Sequence, residues 1–250
     1  MTIHELEDSL FERWENSYQG EDKKSFCRDG LCYNGEYNPK TKTCSPNNEE
    51  LLWKNAKRKV VFLLKDNNGN DGEDTRYWGW RGAPLAPIYQ NLYRWLEGLN
   101  TVRKDHPTSF KDGDYSTTSW DVVMDKYPFI PMNIKKLAGG SRVSDSVLWE
   151  AAERDQGFLR EQINIYRPNI VVCCGGGRNE EGGALLRITK KIIFPKTPFN
   201  LVSNRVYLNE EQNLMLLDVH HPSIISDEEF WSVIDNVYNA LQIIEPGFMK

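Results

Sequence analysis

The sequence predicts a single α/β domain with a central, mostly parallel sheet. Three observations predict it. The runs Val60-Val61-Phe62-Leu63-Leu64 and Ile170-Val171-Val172-Cys173-Cys174 are apolar at every position, as strands buried on both faces are. Amphipathic helical stretches alternate with such runs along the chain. The runs stop at turn-forming clusters, Lys65-Asp66-Asn67-Asn68-Gly69 after the first and Gly175-Gly176-Gly177 after the second.

Taken in order, residues 4–18 form an amphipathic helix, with Leu6, Leu10, Phe11 and Trp14 on one side. Residues 19–49, polar and rich in Asn, Lys and Gly, read as a long loop or irregular insertion. Residues 59–64 are the first core strand, and 77–87 an aromatic loop broken by Gly and Pro. Residues 88–99 are a helix with Leu92, Trp95, Leu96 and Leu99 in register. A polar connection (100–118), a helix (120–127) and a short strand (128–134, ending at Asn133) follow. One helix spans 145–165 from an N-cap at Ser144 or Asp145 and ends at Arg167-Pro168-Asn169. The strand 170–174, a helix over 180–192, a strand near 205–207, an apolar strand from Leu214 and a helix over 227–243 complete the chain. The expected division is a helix plus irregular polar extension over 1–54 and the α/β domain over 55–250, with no internal repeat.

Composition narrows the class. With 39% hydrophobic and 27% charged residues, the chain of 250 is an ordinary globular protein. No apolar run approaches the roughly 20 residues that span a bilayer. The start, Met1-Thr2-Ile3-His4-Glu5, is neither a signal nor a transit peptide, so a cytoplasmic protein with no membrane partner is expected. A net charge of −5 argues against a non-specific nucleic-acid coat but allows a small basic cleft. Eight Trp and eleven Tyr supply flat rings of the kind that stack on bases. Cys27, Cys32 and Cys44, spaced C-x4-C-x11-C, are the only candidate ligands for zinc or an iron–sulfur cluster. No close pair supports them, so no cofactor is expected and plain thiols are the simpler reading.

Three strand ends carry polar clusters: Asp66-Asn67-Asn68, Asn133 with Lys135 and Lys136, and His221-Pro222-Ser223 followed by Ser226. In a parallel sheet these ends share one rim, where ligands bind. Pro222 biases His221 toward an extended conformation and so aims its imidazole. Ser223 and Ser226 suit a phosphate, and Lys135 and Lys136 could add charge to that grip. A carboxylate, an amide and an imidazole on one rim can break an N-glycosidic bond. The amide reads the base edge, the imidazole donates to a carbonyl oxygen gaining charge, and the carboxylate orients water or stabilises a cationic sugar.

On these residues the chain resembles a divergent member of the uracil-DNA glycosylase superfamily. Val60–Leu64 followed by Lys65-Asp66-Asn67-Asn68-Gly69 stands where that family has its motif A. His221-Pro222-Ser223-Ile224-Ile225-Ser226 matches its motif B, Asn133 lies in the order of its base-reading Asn, and Arg167-Pro168-Asn169-Ile170-Val171-Val172 resembles its strand before motif B. The resemblance covers roughly residues 55–245 and implies a three-layer α/β/α domain with a central, mostly parallel four-stranded sheet. Leu64 and Asn67 stand where motif A usually has Gly and Pro, which leaves open whether Asp66, Asn67 or Asn68 positions water. The resemblance implies a glycosylase that flips a nucleotide out of DNA, single- or double-stranded, and releases uracil or another aberrant base. His221 would stabilise the leaving base, Asn133 would read it, and Tyr77, Trp78 or Trp80 would stack on it. A catalytically silent nucleic-acid- or nucleotide-binding module of the same fold and a nucleoside or nucleotide N-glycosidase are the alternatives.

Overall fold

The computed structural model describes residues 1–69, 72–77, 87–105, 120–140, 142–176, 181–223 and 227–250. Helix α1 (Ile3–Glu15) opens on a capping box, in which the Thr2 hydroxyl accepts from Glu5 N–H and the Glu5 carboxylate accepts from Thr2 N–H. A 13-residue helix is marginal alone. Here Leu10, Phe11 and Trp14 are fully buried, each contributing on the order of 2 kcal/mol.

The segment expected to be a long loop or irregular insertion carries short regular elements and is interior over residues 26–35. It carries α2 (Gly20–Lys24) and a small hairpin of β1 (Tyr37–Asn38) and β2 (Thr43–Cys44) before α3 (Glu49–Asn55). Phe26, Cys27, Asp29, Leu31, Cys32 and Asn34 between them are buried. Phe26 and Leu31 join the same apolar cluster as Val61 and Leu63 of the sheet, so this segment is built into the core.

The sheet then follows: β3 (Val60–Leu64), α4 (Pro87–Thr101), α5 (Trp120–Lys126), β4 (Pro131–Asn133), α6 (Asp145–Arg154), α7 (Gln156–Tyr166) and β5 (Ile170–Cys174). After these come α8 (Ala184–Ile188), continued by a π-helical turn over Thr189–Ile193, then β6 (Asn200–Ser203), β7 (Val206–Asn209), β8 (Leu214–Val219) and α9 (Asp227–Ile243). The strand order is β4-β3-β5-β8-β7-β6. The first four are parallel; β7 and β6 add antiparallel strands at one edge. The expected four-stranded sheet is therefore the parallel core of a six-stranded one. The run before Leu214 extends into a full hairpin because Arg205, at φ 58, turns β6 back onto β7.

Alternation of side chains puts Val60, Phe62 and Leu64 against α4, α5 and α9, and Val61 and Leu63 against α1, α6, α7 and α8. Helices thus cover both faces, as the all-apolar strands require. The single helix expected over 145–165 is two. Ser144 caps α6 through Val147 N–H as expected, but Asp155 leaves helical geometry at φ −99, ψ 12. Its buried carboxylate accepts from the Tyr18 hydroxyl at 2.6 Å and pairs with Arg154, a tertiary demand that the apolar periodicity does not report. Among the described residues no helix is long and apolar enough to cross a membrane.

Candidate functional site

From β3 the chain passes to β4 on one side and then returns across to β5 on the other. The order β4-β3-β5-β8 therefore reverses between β3 and β5. A crevice opens beyond the strand ends at such a reversal. Its flanks are Lys65-Asp66-Asn67 after β3 and Gly175-Gly176 after β5. Asn133 ends β4, and His220-His221-Pro222-Ser223 follows β8. Each strand step is about 4.8 Å, so β8 stands roughly 10 Å from β3, with β5 between them. The glycines end β5 without side chains. A Cβ on Gly176 would strike Val219 O, and Gly175 and Gly176 N–H both bond that carbonyl.

The β3–β4 flank is a closed polar network. Asn133 N–H and Nδ2–H both donate to Asp29 Oδ2, at 2.8 and 3.1 Å, and Nδ2 also donates to Asn67 Oδ1 at 3.0 Å. Asp29 is fully buried, and its other oxygen accepts from Lys136 Nζ and from Gln162 Nε2. An ionised carboxylate only accepts, so Asp29 fixes the Asn133 amide with its nitrogen inward. Asn133 Oδ1 and Asn67 Nδ2 remain buried without a hydrogen-bond partner, and Asn67 lies beside the Cys27 thiol. This flank holds one acceptor and one donor in reserve.

Both lysines expected to touch phosphate are committed elsewhere. Lys136 is fully buried, ion-paired with Asp29 and set under the rings of Trp14 and Phe11. Burial pushes its ammonium down and Asp29 pulls it back up, leaving it below the usual lysine value. Lys135 spends its ammonium on Asp66 Oδ2 (3.3 Å) and on the carbonyls of Leu137 and Ala138. Lys136 is closed off from solvent, whereas Lys135 keeps part of its side chain exposed. In a strand-end Lys-Lys pair, solvent exposure is the ordinary expectation; here the segment 26–34 covers it.

Asp66 is held toward β4, with its carboxylate against Lys135 and Gly139. Burial raises its pKa, and Lys135 and Lys65 oppose the rise. Asn68 is exposed and forms a backbone bridge with Gly139. Tyr77 is half-buried and lies flat on Tyr33 at 4.8 Å and 5°, and Tyr33 in turn stacks on His4. One face of Tyr77 is therefore occupied. Trp78, Trp80 and Ser226 lie outside the described residues.

On the β8 flank, His221 Nδ1 lies 2.7 Å from Ser223 Oγ and accepts from Ser223 N–H at 3.3 Å. Accepting at Nδ1 places the proton of the neutral ring on Nε2. Burial lowers the pKa of this imidazole, and the Lys65 ammonium across the crevice lowers it further. Both effects favour the neutral ring, whose free donor is then Nε2–H. Asn91, on the second turn of α4, donates to Pro222 O at 2.6 Å and ties the loop to the helix.

Reasoning from sequence missed Asp29, Lys65, Asn91 and Asp218. The last had a signal, a carboxylate inside an apolar strand. Asp218 is buried, accepts from Gly183 N–H at 3.1 Å and leaves Oδ1 without a partner, and burial raises its pKa. Asp29 had none, since its partners are 104 and 107 residues away.

The thiols of Cys27, Cys32 and Cys44 donate to three different carbonyls, of Ser25, Gly30 and Gly35. Burial pushes the Cys27 and Cys32 thiols up, away from the thiolate a metal needs. Among the described residues no three His, Cys, Asp or Glu side chains gather in metal-binding geometry. No protein-family model matches the chain, and no curated protein matches it significantly.

Proposed function

We propose that the protein is a DNA glycosylase that releases uracil or another aberrant base from a flipped-out nucleotide. The observation that carries this reading is His221, held as a neutral Nε2–H donor on the same rim as the Asn67–Asn133 pair. Asn133 Oδ1 and Asn67 Nδ2 lie buried beside this position and would read a base edge once the base uncovers them. His221 Nε2–H would donate to the base oxygen that gains charge as the glycosidic bond opens, a role worth roughly 10²–10³ in rate for one preorganised donor. The Lys65 ammonium favours the same anion. Water would be oriented by Asp66 or by Asn67 or Asn68.

One observation favours a second reading, a silent nucleic-acid-binding module. The Asp66 carboxylate is spent on Lys135 and turned toward β4, away from the His221 strand. Base release from single- and double-stranded oligonucleotides separates the two. The panel carries uracil, mismatched thymine, hypoxanthine, xanthine and hydroxymethylcytosine. Abasic sites produced by wild type and not by His221→Ala support the glycosylase. Saturable binding of these oligonucleotides without release of any base supports the module and overturns it.

A further inference from the structure

At the opposite end of the sheet, before the strands begin, lies a cavity of about 810 Å³. Its size falls in the range of small-molecule sites. Lys and Arg supply six of its lining side chains, against the carboxylates of Asp105 and Glu245, on a chain whose net charge is −5. The cations come from separate parts of the chain: Lys57 and Arg58 precede β3, Arg103 and Lys104 follow α4, and Lys126 ends α5. They converge only through the fold.

Two features separate this cluster from an ordinary solvated surface. The first is Arg58, which is buried and has no ion pair among the described residues; Glu245 is the carboxylate that acts on it, from farther away. Its guanidinium donates instead to the carbonyls of Leu99, Val102 and Met249. The carbonyl end of α4 answers about half a charge, and the rest stands in the cavity floor. A buried cation answered only by a distant carboxylate is costly to hold, and an anion bound beside it lowers that cost. The second is that the exposed Lys57, Arg103, Lys104 and Lys126 form no side-chain hydrogen bond or ion pair with any described residue. They are therefore not capping the helix ends beside them. Arg103 and Arg58 repel one another, and that strain is relieved by an anion shared between them.

We propose that this cavity is a binding site for a chain of phosphates, separate from the crevice at the other rim. A single phosphate would engage two or three of these cations, whereas a linear triphosphate can reach cations on all three segments. The chemistry is common to inorganic polyphosphate and to a nucleoside triphosphate, and the half-buried rings of Tyr127 and Phe248 in the cavity wall would add affinity only for the latter.

The test is calorimetric titration of the full chain at low salt with sodium tripolyphosphate and, in parallel, with ATP. Saturable binding that weakens as salt is raised is expected for tripolyphosphate, with ATP equal if only phosphates are read and tighter if the rings take part. Arg103→Ala/Lys104→Ala, two exposed positions, is expected to weaken both at least tenfold while leaving the melting temperature unchanged. His221→Ala is expected to bind both probes as wild type does. That arm keeps this site distinct from the crevice, whose own assignment stands or falls on base release. No saturable binding of either probe, full affinity in the double variant, or lost affinity in His221→Ala would each overturn the proposal.

Discussion

The two flanks of the crevice are built on opposite principles. The β3–β4 flank is wired from below: Asp29 is bonded at once to Lys136, Gln162 and both nitrogens of Asn133, and all of these are buried. The β8 flank is held from the side, by the short His221–Ser223 contacts and one bond from Asn91 to Pro222, with His221 only partly buried and Ser223 exposed. A group that must read shape gains from being fixed before its ligand arrives. A group that must meet charge as it develops needs a free donor atom. Under the proposed function, the difference makes stability and chemistry separately mutable, one on each flank.

The sharpest way to break the comparison is Lys136→Met. It leaves Asp29 ionised and unpaired in the core, and removing one partner of a buried pair costs roughly 3–5 kcal/mol. A large fall in the chemical-denaturation midpoint is expected, and a loss below about 1 kcal/mol would show that the network is not what holds this flank. His221→Ala should do the reverse. Base release should drop roughly 10²–10³-fold while stability moves by less than about 1 kcal/mol, because the ring has only local partners.

A smaller effect sits behind the first flank. Burial pushes His4 down, but Glu49 and Glu7 outweigh it and carry the ring up to about 9. Its folded value lies above its unfolded value, near 6.5. Its stabilisation is therefore complete below about pH 6.5 and is lost as the pH rises through 9, amounting to at most about 3 kcal/mol. Melting curves across that window should slope downward in wild type and lose most of that slope in His4→Gln. The smallest effect tests the second flank. Lys65→Met removes a positive charge that depresses His221, so the imidazole should titrate at higher pH. The acid limb of base release, and the His221 ring resonance in an NMR titration, should both move up by less than one pH unit.

The sequence alone makes one flank far more legible than the other. His-Pro-Ser is local, so its place after an apolar strand is visible in the chain. The parallel core is visible for a similar reason, since Val60–Leu64 and Ile170–Cys174 can be buried only between layers. The Asp29 network joins residues a hundred positions apart, and no periodicity or motif announces such a pairing. The same blindness turned Lys136 into an expected surface contact and hid the break at Asp155, whose cause is the distant Tyr18. Local chemistry is readable from spacing; buried polar pairing is decided by which segments the fold brings together.

Gly139 carries one further consequence. Its α-hydrogen faces the Asp66 carboxylate so closely that a methyl group there would occupy the place of Oδ2, with Lys135 Nζ just beyond. Alanine at this position would therefore act as a wedge. It would force the carboxylate out of its ion pair and change where that charge points, without altering any ionisable group. A single carbon atom outside the crevice thus governs the aim of the Asp66 carboxylate.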